Sequence, residues 1–136
     1  MIVVDTSALV AIVLGEPESD ACIGVLARAD PIVISAVTAA EALIVAARRG
    51  VGDEMRQLLD GLGAEIAPVA PAAARRVADS YARWGKGAHP AGLNFGDCFS
   101  YDLASERSCP LLFVGQDFAK TDIRSALASR RKAKRG

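Results

Sequence analysis

The chain has 136 residues, the size of a single domain with one core. Apolar residues make up 51% of it and charged residues 24%, which excludes a disordered chain, a collagen and a low-complexity linker. Sixteen basic and sixteen acidic side chains cancel to zero net charge, a total that at face value argues against a wholesale nucleic-acid binder.

Ile2-Val3-Val4 is a β-branched run that stops at Asp5 and reads as a buried strand. Thr6-Ser7 then open a helical pattern through Leu14 to Gly15, with Thr6 or Ser7 as its cap. A second helix is expected from Glu16 to Arg28, ending before Asp30-Pro31, and Ile32-Val33-Ile34 is the next strand. Ser35 to Arg49 reads as a helix stopped by Gly50-Val51-Gly52, and Asp53 to Leu62 as another. Glu65 to Val69 is a weaker strand, and Pro71 to Arg83 a helix. The stretch from Gly85 to Gly92 is rich in turn formers and is the one substantial loop. Asn94 to Arg107 is helical, Leu111 to Val114 is a strand, and Gly115 starts a short turn and helix before Asp122. Continuously apolar short strands alternating with helices indicate an α/β fold whose sheet is parallel and covered on both faces.

The longest apolar run, residues 31–47, is interrupted by Glu41 and falls short of the roughly 18 to 20 residues of a membrane span. Met1 to Val4 has no basic flank and is broken at once by Asp5, so a secretory signal is not expected. Cys22, Cys98 and Cys109 are an odd number without a C-x-x-C pair, which disfavours a disulfide framework and points to a reducing cytoplasm.

In open parallel sheets the ligand site lies beyond the carboxyl ends of the strands, where the strand order reverses. Asp5 follows the first strand directly, and Asp117 follows the last after Gly115-Gln116. Asp97 stands in the first turn of its helix, at the end that adjoins the same edge if the helix packs on the sheet. Glu41 is the only charge in residues 31–47, where burial would cost several kcal/mol without a cation or strong donors. Each acid has a plainer reading: Asp5 as a helix cap, Asp97 as a first-turn acid, Asp117 as a turn residue, Glu41 on an exposed stripe. The only histidine, His89, lies in the loop before a proline and reads as a surface residue, and Cys98 reads as core. No phosphate-cradling glycine motif follows the first strand. Clustered acids with no other catalytic group suit a hard divalent cation with oxygen ligands, and so metal-dependent phosphodiester hydrolysis.

With these residues in place, the sequence resembles the PIN-domain ribonucleases over essentially its whole length, and among them the VapC-type toxins of prokaryotic toxin–antitoxin pairs. The resemblance rests on residues 2–9 (IVVDTSAL), the Glu41 helix, residues 93–104 (LNFGDCFSYDLA) and residues 110–123 (PLLFVGQDFAKTDI). It implies a three-layer α/β/α PIN-like domain with a mostly parallel sheet of four to five strands over residues 1–123. It also implies an Mg²⁺ or Mn²⁺ site and endoribonuclease activity on a structured RNA. Asp5, Glu41, Asp97 and Asp117 correspond to the acidic quartet. Asp5 and Asp97 are then the principal metal ligands, Glu41 and Asp117 complete the site directly or through water, and Thr6 and Ser7 are the orienting hydroxyls. Asp122 competes with Asp117 for the fourth place or holds a second metal, whereas Asp102, about 500° around the helix from Asp97, faces away. The family further implies a homodimer and a VapB-like antitoxin, the two assembling into a hetero-oligomer, with no membrane partner. Surplus apolar surface for a partner is expected on the helices at 8–14 and 36–47.

Two other classes compete. A receiver-like signalling domain is also a parallel sheet with clustered acids and Mg²⁺, but needs an acidic pair near residue 10 and its acceptor after the third strand. An inactive PIN-like module would bind RNA or protein without cutting.

The neutral total conceals an uneven distribution. Residues 124–136 hold six basic side chains and no acid, so the remaining body carries ten basic against sixteen acidic residues, net −6. This separates a basic tail, 124–136, whose Arg130, Arg131, Lys132, Lys134 and Arg135 are candidates for contact with RNA phosphates.

Overall fold

The computed structural model describes residues 1–127. Four short strands, β1 (Ile2–Val4), β2 (Ile32–Ser35), β3 (Glu65–Ala67) and β4 (Leu111–Leu112), form one sheet in the order β3-β2-β1-β4. Every pairing is parallel, with Val3 opposite both Val33 and Leu111 and Ile34 opposite Ile66. Side chains alternate across each strand. Ile2, Val4, Ile32, Ile34 and Leu112 therefore face one apolar core, and Val3, Val33, Ala67 and Leu111 face the other.

The first core is closed by α1 (Thr6–Leu14), α2 (Ser19–Arg28), α3 (Ala36–Arg48) and α4 (Gly52–Gly61), which contribute Leu9, Leu26, Ala42 and Met55. The second is closed by α5 (Pro71–Trp84) and α6 (Phe95–Glu106), which contribute Val77, Trp84, Cys98 and Tyr101. The result is the expected three-layer α/β/α arrangement, with four strands and no antiparallel member among the described residues.

Local chemistry sets the element ends. The Asp5 side chain accepts from Ser7 N, so Asp5, and not Thr6 or Ser7, caps α1. Gly15 closes that helix in the left-handed region (φ 66°), where a side chain is strained. Because Gly15 turns the chain and Pro17 follows, α2 begins at Ser19 and not at Glu16. Ser35 and Asn94 cap α3 and α6, and α6 has a reciprocal capping box in which Asp97 also accepts from Asn94 N. Pro71 opens α5.

The strand expected over 111–114 pairs only at Leu111 and Leu112. Its continuation is claimed by a side chain, since Val114 N donates to Ser7 Oγ (3.0 Å). The chain then turns at Gly115, where φ is 106°. At the outer edge of β4, residues 124–126 run alongside: Leu111 N donates to Arg124 O (2.8 Å) and Ala126 N to Leu111 O (2.9 Å). The folded body thus continues past the boundary expected at 123. A salt bridge between Asp102 and Arg76 (2.9 Å) ties α6 to α5, with Asp102 turned away from Asp97 as expected but buried. His89 is half-buried, its Nδ1 accepting from Ala91 N (2.9 Å) and its ring edge-on to Trp84, so it shapes the 85–92 loop.

Candidate active site

The chain runs β1, β2, β3 in one direction across the sheet and then crosses to the far side of β1 to place β4. The strand order therefore reverses between β1 and β4, and the crevice beyond their carboxyl ends is where a parallel sheet opens to a ligand. Asp5 sits there because it ends β1: its own N–H still pairs with Leu112 O (2.9 Å), while its side chain turns to start α1.

Asp5 is 2% exposed, and a carboxylate so buried needs donors. It has three. Ser7 N (3.0 Å) and Ser7 Oγ (2.8 Å) donate to Oδ2, and Ser100 Oγ donates to Oδ1 (2.6 Å). Behind Ser100 lies Thr38, with Oγ1 3.1 Å from Ser100 Oγ, and both hydroxyl residues are fully buried.

Glu41 stands on α3, half-buried, and Thr6 Oγ1 donates to its Oε1 (2.6 Å). Its carboxylate lies against the first turn of α6: a Cβ added at Gly96 would meet Glu41 Oε2 at 2.6 Å and Oε1 at 2.9 Å. Glycine at 96 is thus a requirement of close approach. Asp97 follows in the same turn, its Oδ2 accepting from Asn94 N (3.0 Å). Asp117 is exposed and begins the 3-10 turn Phe118–Lys120 beyond β4.

The four acids act on one another. Burial, and then the charges of Asp5, Asp117 and Glu41, push the Asp97 carboxyl up to about 6 against the hydrogen bond from Asn94 that opposes the rise. No arginine or lysine among the described residues forms an ion pair with any of the four. The four carboxylates and the hydroxyls of Thr6 and Ser7 offer oxygen donors, a set suited to a hard divalent cation and unsuited to a soft one. As the side chains stand, no three of the described His, Cys, Asp or Glu residues converge tightly enough to enclose an ion, and water would have to complete any coordination.

Asp122 is engaged elsewhere. Its Oδ1 accepts from the Tyr101 hydroxyl and its Oδ2 faces Arg83 Nη2 at 4.0 Å, on the α5–α6 side. Cys98 is fully buried, and burial raises its thiol to about 11, which suits packing and not nucleophilic attack. Arg130, Arg131, Lys132, Lys134 and Arg135 lie outside the described residues.

Sequence reasoning missed Ser100, Thr38, Asn94 and Gly96. Helical spacing carried a signal for the first two, since Ser100 is three residues after Asp97 and Thr38 three before Glu41, each on the face of its acid. Of the apolar surface expected on the first and third helices, Ile44 is exposed (57%) and Val10, Ile12, Val13 and Leu14 are half-buried, while the most exposed large apolar residue is Phe95 (69%), beside Gly96 and Asp97.

A family model of the PIN domain matches residues 2–124, essentially the whole of this parallel three-layer fold. The chain belongs to the PIN-domain family, and it is similar over most of its length to VapC proteins. It is 39% identical over 132 residues to the Mycobacterium tuberculosis ribonuclease VapC28, a match covering 94% of this chain and 99% of that one. It is 44% identical over 126 residues to ribonuclease VapC36 of the same organism, covering 89% and 90%. In three dimensions it resembles M. tuberculosis VapC20, described as a toxin that cleaves the sarcin–ricin loop, with a TM-score of 0.74 at 16% identity over 90% of this chain and 96% of the other. A toxin–antitoxin complex from Klebsiella pneumoniae gives a TM-score of 0.69 at 19% identity, covering 90% and 93%. No helix among the described residues is long and apolar enough to cross a membrane.

Proposed function

We propose that this protein is a metal-dependent endoribonuclease that serves as the toxin of a toxin–antitoxin pair in the cytoplasm. The observation that carries the reading is the quartet of carboxylates at the sheet's reversal point, none of them ion-paired among the described residues and one of them raised to about 6 by burial and the charges of its neighbours. Such a concentration of like charge is costly unless the function requires it. The ribonuclease names of relatives near 40% identity support the same chemistry.

Asp5 and Asp97 are the principal ligands for Mg²⁺ or Mn²⁺, and Glu41 and Asp117 complete the site directly or through water. When bound, the cation supplies a water nucleophile at neutral pH and offsets the charge that develops on the scissile phosphate. The residues of the chain hold the geometry. Ser7 and Ser100 fix the plane of the Asp5 carboxylate, Thr6 fixes Glu41, and the capping box fixes Asp97 to the start of α6. The crevice opens at the sheet edge, with Asp117 exposed at its rim, so a phosphodiester of a folded RNA can reach it. A VapB-like antitoxin is the expected partner, and the active species is a homodimer that joins it in a hetero-oligomer.

The test is expression. Growth arrest by the wild type, its loss with Asp5→Asn, and its reversal by the neighbouring small gene product are the expected results. Arrest that persists with Asp5→Asn would refute the assignment of the site, and the absence of arrest would refute the toxin role. An inactive PIN-like module would bind RNA and leave it intact with Mg²⁺ or Mn²⁺ present.

A further inference from the structure

The hydroxyl chain behind Asp5 has a direction. Ser100 has one proton, and a carboxylate only accepts, so that proton lies on the 2.6 Å bond to Asp5 Oδ1. The 3.1 Å contact between Thr38 and Ser100 can then be a hydrogen bond only if Thr38 donates. The order is Thr38 to Ser100 to Asp5, joining α3 through α6 to the end of β1. All three residues are buried, at 0%, 0% and 2% exposure, so water does not compete for these bonds.

The acceptor count on Asp5 is equally constrained. A carboxylate has about four lone-pair sites, two on each oxygen. Oδ2 receives both Ser7 N and Ser7 Oγ and is filled, whereas Oδ1 receives Ser100 alone. We propose that Ser100, backed by Thr38, is a positioning residue that fixes the direction of the one Asp5 lone pair, on Oδ1, that Ser7 and Ser100 leave for a divalent cation. Asp5 would then offer the ion one oxygen, and the hydroxyl chain would set its angle. Neither hydroxyl touches substrate or metal, and both act through Asp5. Without Ser100 the carboxylate is held at Oδ2 only, by Ser7, and Oδ1 can swing away from the angle the cation needs.

This inference rests on the metal reading above. The test is Mn²⁺ binding to the purified full chain, followed by electron paramagnetic resonance or calorimetry, alongside kcat and KM on an RNA it cleaves. The variants are Ser100→Ala, Thr38→Val, which keeps the volume, and Thr38→Ser, which keeps the donor. Ser100→Ala should weaken Mn²⁺ binding about 10-fold and lower kcat, leaving KM for RNA within about twofold, as loss of a group supporting a metal ligand does. Thr38→Val should weaken binding by a smaller factor, and Thr38→Ser should bind as the wild type does. If Ser100→Ala fails to fold, the contrast between the two Thr38 variants decides. Folded variants with wild-type Mn²⁺ affinity would overturn the positioning role alone, whereas a wild type that binds no Mn²⁺ would overturn the metal reading and this inference with it.

Discussion

Asp97 is where function and stability conflict most directly. Its carboxyl titrates near 6 in the folded protein against 3.8 ordinarily, because it is half out of water and faces three other acids. The folded value lies above the unfolded one, so between these two pH values the folded chain holds a proton that the unfolded chain releases. The metal-free protein therefore carries the full penalty above about pH 6 and sheds it as the pH falls toward 4. Because water still reaches part of the group, the penalty is on the order of 1 kcal/mol, or about 3 °C in Tm. Asp97→Asn keeps an acceptor for Asn94 N and removes the charge. In EDTA the variant should melt about 3 °C above the wild type at pH 7.5, with the gap narrowing to about half at pH 5, while cleavage is lost. A gap equal at both pH values would remove the electrostatic explanation. Gly96 gives the complementary case. Its added Cβ would meet only the end of the flexible Glu41 side chain, and alanine favours helix by about 1 kcal/mol. Gly96→Ala should therefore leave Tm within a few degrees of wild type yet cut RNA cleavage by roughly 10-fold or more, through a displaced Glu41. Wild-type cleavage by that variant would show that the position of Glu41 is not critical.

At the scale of the elements, the helices have different duties. α3 and α6 carry Glu41, Asp97 and the hydroxyls of Thr38 and Ser100, α1 carries Thr6 and Ser7, and α5 supports α6 from behind. That support is concentrated in Arg76, whose Nε lies 2.9 Å from Asp102 Oδ1 and 3.5 Å from Glu106. The Asp102 side chain is only 10% exposed, so removing its partner strands a charge in a dry setting. Arg76→Met should lower the denaturant midpoint, with the rate of cleavage per folded molecule unchanged. A matching fall in that rate would mean that α5 also sets the geometry of the site. Strand and helix identities were legible from β-branched runs and apolar spacing, whereas the capping roles of Ser35 and Asn94 emerge only in the structure. Boundaries failed where a side chain competes with the backbone. β4 stops early because Ser7 Oγ takes Val114 N, and α1 starts one residue sooner because Asp5 caps it while remaining a site residue. No local pattern announces a contact 107 residues away in the chain. The acids themselves were visible because lone carboxylates at strand ends and on an apolar helix are conspicuous. The hydroxyls that serve them were not, because a buried serine or threonine has many uses.

Across the whole molecule, the charge balance and the topology describe one device. The strand order reverses between β1 and β4, and there the protein gathers carboxylates that have no cationic side chain to meet them among the described residues. The body's net −6 is in part the cost of that gathering, and the zero total reflects basic residues concentrated at the C-terminal end of the sequence. The arrangement is intelligible if a divalent cation completes it and a phosphodiester is brought to the cation. The direct measurement is cleavage of a panel of cellular RNAs by EDTA-treated wild-type protein as Mg²⁺ or Mn²⁺ is titrated back, with Asp5→Asn run in parallel. Cleavage should be absent in EDTA, return with the cation at defined sites in one RNA class, and remain absent in Asp5→Asn. Cleavage that survives EDTA, or that Asp5→Asn performs as well as the wild type, would contradict the assignment.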